Sequence, residues 1–367
     1  MADNSNIVNT VRNYASTQFN KRIPKATVDN VSTIGQIILG NKQLRNEFTS
    51  ILMDTICKTM VTTRKAINPL NIFKDKAKQF GNGIENMYVN PAKAKKFTYD
   101  TSSLLTITKP DIKAEIYEIG REDQYQSVIN VAKLKRAFLN EGGLSSLINS
   151  VYMSLTNGDT LDEYLLSKLL LKLALKNNHV VYQEYVFADP NNPTKAELEQ
   201  LAIDIQTDSL NMTFTNDTYN KYHEIFKDKD NGDEVLTSTP QEMQVIILRS
   251  DYIVKYTMQY LATLFNMTLA EFKAKTIIPV DNFLDAPIIG VLCDYSFLQF
   301  YDNIVDEDSF YDKTTLGTKM IRTHMETMAY CTFVNCKFYT YKTDDESWKT
   351  SSTGITESTQ LPSGEGA

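Results

Sequence analysis

The chain has 367 residues, 42% of them hydrophobic and 23% charged, which supports a sizeable buried core and excludes wholesale disorder. Its 38 Lys/Arg against 45 Asp/Glu give a net charge of −7, which argues against a protein whose main task is gripping nucleic-acid phosphates. The charge is uneven: residues 1–100 hold 15 basic and 7 acidic side chains, so a basic first quarter precedes an acidic body.

The N-terminus has no apolar h-region, and no window approaches ~18 uninterrupted apolar residues, so the expectation is a soluble intracellular chain. Residues 1–28 are polar with single scattered apolar positions and Pro24, and read as an extended arm. From Val31 the apolar residues recur at helical steps through Ile34, Ile38, Leu44, Phe48, Leu52 and Met60, with Gly40-Asn41 breaking the pattern into two helices. Over 103–131, alternation at Ile107, Ile112, Ile116 and Val128 around a charged Gly120-Arg121-Glu122-Asp123 predicts a two-stranded arm with that tip. A long hairpin is marginal alone, so the arm is expected to rest on a neighbouring subunit.

Residues 144–176 carry the strongest helical signal. One stripe runs through Leu144, Ile148, Val151 and Leu155, and a second through Leu161, Leu165, Leu169 and Leu173. Thr160-Leu-Asp-Glu163 fits a capping box, and Asn157-Gly158 fits either a turn between two helices or a blemish in one. Beyond Asn177 come predicted strands at 180–187, 210–215 and 244–249, a helix at 257–273 with a second capping box at Thr268–Glu271, and strands over KTIIPV and PIIGVLC. A last long strand is expected over Met328–Tyr341, then a polar tail. Helices and an arm first, then mixed strands and helices, make this α+β rather than regular βαβ winding.

Catalytic and metal signatures are thin. Four cysteines (Cys57, Cys293, Cys331, Cys336) in apolar stretches are too few for a disulfide scaffold and predict free buried thiols. His324, Cys331 and Cys336 lack the fourth ligand and the paired spacing of a zinc site. The acidic run Asp228–Asp233 places Asp233 and Thr239 where a calcium loop needs Gly and Glu. Phe80-Gly-Asn-Gly-Ile84 lacks the third glycine of a dinucleotide fold, and none of the three histidines (His179, His223, His324) sits in a catalytic motif. No catalytic residue, cofactor or metal ligand is assigned, and a structural or interaction protein is favoured over an enzyme.

Several collinear stretches resemble major capsid proteins of tailed bacteriophages with the Hong Kong 97-like fold. They are FGNGIENMYVNPAKAKKF at 80–97, KPDIKAEIYEIGREDQYQSVIN at 109–130, LKRAFLNEGGLSSLIN at 134–149 and DEYLLSKLLL at 162–171. YLATLFNMTLAEFKAKTIIPVDNF at 260–283, IIGVLCDYSFLQFYDN at 288–303 and MAYCTFVNCKFY at 328–339 continue the likeness. The resemblance implies an N-terminal arm at 1–30 and N-terminal helices beginning a peripheral domain at 31–99. An extended E-loop at 100–136 follows, then a spine helix with peripheral domain at 137–184 and an axial domain at 185–325. A return strand at 326–345 and a tail at 346–367 complete the layout.

By the same resemblance, copies form hexamers and pentamers of an icosahedral phage head that encloses double-stranded DNA, held non-specifically. Portal and scaffolding proteins are the implied partners, no membrane is involved, and the place is the virion after assembly in host cytoplasm. Ile116, Tyr117, Arg121, Glu122, Asp123 and Tyr125 of the E-loop are the expected subunit contacts. An encapsulin-type compartment shell shares the fold but holds protein cargo. An intracellular enzyme of unfamiliar fold using His324 with Cys331 or nearby carboxylates is the reading from another class.

Overall fold

A computed structural model describes residues 4–57, 66–75, 83–94, 110–130, 134, 143–225, 234–255, 277–314, 317–344, 346–350 and 363–364. The predicted helix at 257–273, its capping box at Thr268–Glu271 and the acidic run Asp228–Asp233 lie outside the described residues. Two compact units divide the chain, one of residues 1–68, 122–163 and 304–325, the other of residues 69–121, 164–303 and 326–367.

The first unit overturns the extended arm. Its N-terminus forms helices Asn4–Tyr14 and Thr17–Arg22, followed by Val31–Gly40 and Lys42–Cys57. The scattered apolar residues of the first stretch, Val8, Val11, Phe19 and Ile23, are completely buried with Phe48 and Leu52. Phe19 stacks on Phe48 with ring centroids 6.5 Å apart. Asn9 clamps the returning chain, donating to the Ala26 carbonyl and accepting from the Ala26 N–H, both at 2.8 Å. Low local apolar density made this segment look unsupported, whereas tertiary burial of single large side chains holds it.

The second unit is built on a five-stranded sheet. Its strands are β5 (Val181–Tyr185), β6 (Gln244–Arg249), β7 (Ile277–Val280), β8 (Ile288–Asp294) and β11 (Cys336–Tyr341), in the order β5-β11-β8-β6-β7. Every residue of β8 is buried, as a central strand covered on both faces requires. Val245, Ile247, Val291 and Phe338 face one core with Leu166–Leu175, and Ile246, Leu248, Leu292 and Tyr339 face another with Leu198, Leu201 and Ile205. The latter residues belong to a helix at Lys195–Asn211, whose capping box is Thr194 with Glu197. This helix runs into the stretch expected as a strand at 210–215, and turns follow it. The strand expected over Met328–Tyr341 divides at residues 331–335 into the end of β10 (Gly317–Tyr330) and β11.

The helical signal at 144–176 is one uninterrupted helix, Gly143–Lys176. Thr160 is therefore not a cap. Its hydroxyl donates to the Thr156 carbonyl at 2.9 Å, one turn back inside the helix.

Candidate subunit interface

The two-stranded arm exists with other partners than the sequence predicted. β2 (Gly83–Val89) pairs antiparallel with β3 (Ile112–Glu118), and β12 (Ser363–Gly364) pairs with the other edge of β3. The following strand, β4 (Arg121–Asn130), pairs with β10 in a separate sheet, so β3 and β4 are not a hairpin and Gly120–Asp123 is not a tip. Instead the Gly120 N–H donates to the Glu326 carbonyl at 3.2 Å. Alternation along 103–131 identified strands; it carries no information on which strand lies alongside.

Register sorts the arm into two faces. Val89 lies opposite Ile112, Met87 opposite Ala114 and Glu85 opposite Ile116, so these six side chains share one face. Met87, Val89 and Ile112 are 63%, 55% and 47% exposed. The opposite face is turned inward. Tyr88 stacks on Phe333 at 5.8 Å and donates its hydroxyl to the Leu236 carbonyl at 2.6 Å. Asn86 donates to the Cys331 Sγ at 3.3 Å.

Glu115, fully buried on the inner face, accepts from the Tyr117 hydroxyl at 2.5 Å and from the Thr332 N–H at 3.3 Å, and also from the Thr332 hydroxyl. Burial raises its carboxyl above the ordinary range, against the opposing effect of these donors. Cys331, buried beside it, is likewise raised, first by desolvation and then by the nearby Glu115 charge.

Of the six expected contact residues, Ile116 lies on the outer face of the arm and Glu122 is exposed. Tyr117 and Arg121 are buried within their own subunit, which removes both from a contact surface. The Arg121 Nη1 lies 3.1 Å from a Glu326 carboxylate oxygen, with both side chains essentially inaccessible. Lys74 reaches the other Glu326 oxygen at 3.4 Å and Asp302 at 2.8 Å. Asp123 is half-buried, and Tyr125 donates its hydroxyl to Asp162 at 2.7 Å. No sequence signal could reveal the Arg121–Glu326–Lys74 cluster, because its members are separated by tens to hundreds of residues and each resembles a surface charge.

The histidines considered as catalytic candidates have structural partners. His324, buried, has its Nδ1 2.7 Å from an Asp159 oxygen, and the Arg322 Nε donates to the other Asp159 oxygen at 2.8 Å. His179 has its Nδ1 2.7 Å from the Tyr330 hydroxyl, and burial lowers its pKa. His223 lies in the short helix Tyr222–Ile225. Among the described residues no helix is long and apolar enough to cross a membrane.

Comparison with known proteins gives a consistent result. The profile of the Phi29-like phage major capsid protein family matches residues 8–340. The major capsid protein of Bacillus phage PZA is 25% identical over 83% of this chain and 65% of its own length. That of Streptococcus phage Cp-1 is 25% identical over 76% of each. The chain thus spans just under two thirds of the length of the Bacillus phage protein. The capsid structure of Staphylococcus phage Andhra superposes with a TM-score of 0.61 at 12% identity, covering 78% of this chain and 87% of that one. A chain from the head-fibre and inner-core structure of bacteriophage P68 gives 0.56 at 11% identity, covering 77% and 86%. The α+β fold is that of these phage capsid structures, in line with the Hong Kong 97-like resemblance.

Proposed function

The chain belongs to the Phi29-like phage major capsid protein family, and from that premise we propose that its copies assemble, as hexamers and pentamers, into the icosahedral head that encloses a phage genome of double-stranded DNA. Membership selects a phage shell over an encapsulin-type compartment, and the family is one of structural capsid proteins. The virion is the place of action. Portal and scaffolding proteins are the partners that such assembly calls for, and DNA contact is non-specific, in keeping with the −7 net charge.

One observation carries the assembly reading. The β2–β3 arm presents Met87, Val89 and Ile112 to solvent on one face while its other face is tied down by Tyr88, Asn86 and Glu115. A contiguous apolar strand face left open in a chain of this family is a contact surface awaiting a second copy. On this reading the E-loop comprises β2 and β3 in place of residues 100–136. Ile116 stays in the proposed contact and Glu122 remains available to it, whereas Tyr117 and Arg121 act inside the subunit.

Light scattering with negative-stain electron microscopy tests this reading on the purified protein, co-expressed with the other head proteins of its phage. Closed shells, tubes or hexamer-sized rings are expected. A discrete monomer under those conditions would overturn it.

A further inference from the structure

Cys293 and Cys336 stand opposite each other on the neighbouring antiparallel strands β8 and β11. The adjacent pair is hydrogen-bonded, with the Asp294 N–H donating to the Asn335 carbonyl at 3.0 Å. The Cys336 N–H points away from β8, to the Tyr219 carbonyl at 2.8 Å. Bonded and non-bonded pairs alternate along an antiparallel ladder, so the two cysteines occupy a non-bonded position, where Cα atoms approach to about 4.5 Å. A disulfide spans Cα separations of about 4.4–6.8 Å, which includes that spacing.

The two side chains also share a face. Both lie in the core with Val245, Val291, Phe297 and Phe338, and both are free thiols. Cys331 belongs to a different cluster, with Tyr222, Val235 and Phe333. Among the described residues, Cys293 and Cys336 are thus the cysteines placed for pairing.

We infer that Cys293 and Cys336 form an oxidisable pair, a dithiol in a reducing cytoplasm that a small peroxide converts to a cross-strand disulfide. One sulfur takes an oxygen from the peroxide, giving a sulfenic acid and one water. The second sulfur then displaces that oxygen as a second water while the S–S bond forms. Two thiols and one hydrogen peroxide yield one disulfide and two waters, the sulfurs losing the two electrons that reduce the O–O bond. Burial, together with the neighbouring Cys293, holds the Cys336 thiol well above its ordinary pKa, so the reaction is slow and favours an oxidant of nearly water size.

The bond would join the two ends of the segment 294–335, which carries β9 (Leu298–Asp312) and β10 entire. Closing that loop restricts the unfolded chain and raises resistance to heat. The inference rests on sheet register and core packing and does not depend on the assembly reading.

The test treats the purified full-length protein with graded hydrogen peroxide, quenches with catalase, denatures in N-ethylmaleimide and digests without reductant. Mass spectrometry is expected to find the Cys293 peptide joined to the Cys336 peptide, with the link lost on treatment with dithiothreitol and Cys331 alkylated throughout. The oxidised protein should melt on the order of 5 °C higher than the reduced one. Cys336→Ala should lose both the link and the oxidant-dependent rise. Recovery of both cysteines alkylated, or oxidised singly without a link, at peroxide levels that already convert methionines to sulfoxide would overturn the inference from the wild-type protein alone.

Discussion

Arg121 and Glu326 form an ion pair with almost no access to water, supported by Lys74 on the second carboxylate oxygen. Removing one partner of such a pair leaves the other charge buried. Arg121→Met is expected to destabilise by about 3 kcal/mol, the low end of the usual range because Lys74 still faces the carboxylate. Urea denaturation checks this. The double variant Arg121→Met/Glu326→Met should lose clearly less than the sum of the two single variants.

Glu115 makes a separate, pH-dependent prediction. Its folded pKa lies above the unfolded value, so folding takes up a proton there. The stability this contributes is complete below the unfolded pKa and is lost as pH rises through the folded one. Glu115→Gln removes the titration. Its melting temperature relative to wild type should therefore climb as pH rises above the ordinary carboxylate range, and a constant difference would refute the assignment.

At the scale of elements, the Gly143–Lys176 helix passes through Asn157-Gly158 without a break. The Tyr125 ring lies over Gly158, 3.4 Å from where an alanine Cβ would sit, which is ordinary contact. Gly158→Ala should therefore stabilise the protein by up to about 1 kcal/mol through helix propensity, read as a higher denaturation midpoint. A turn between two helices would give no such gain.

The apolar stripes of this helix were legible because a helix writes its own period into the sequence. Thr160-Leu-Asp-Glu163 misled for a related reason: the same four residues suit a cap or an interior turn, and packing decides which. Glu163 in fact accepts from the Asn68 side chain at 2.9 Å, a partner far away in sequence. The strands at 181–185, 244–249, 277–280 and 288–294 were readable from dense β-branched composition. The helix end at 210–211 was not, since Leu210 and the adjoining Met212 fit either state.

Across the assembled protein, the contact surface proposed above is the outer face of the β2–β3 arm. Met87→Asp with Val89→Asp is expected to abolish shell formation, scored by electron microscopy, while leaving the melting temperature within a few degrees, since both side chains are exposed. Deleting residues 112–128, which a free hairpin would tolerate, instead removes β3 and most of β4 from two separate sheets together with buried Glu115 and Arg121. That deletion should yield unfolded protein, visible as lost cooperative melting.

The α+β class, the long helix and most strands of the central sheet were legible in the sequence because local periodicity and composition record which faces are buried, and the family likeness came from the resemblance of collinear stretches. The pairing of β3 with β2, the burial of the N-terminal helices and the interior roles of Arg121 and Tyr117 were not legible there. Those outcomes depend on which distant side chain fills which space, such as Phe48 against Phe19 or Glu326 against Arg121. A partner far along the chain leaves no mark on the pattern of its neighbours.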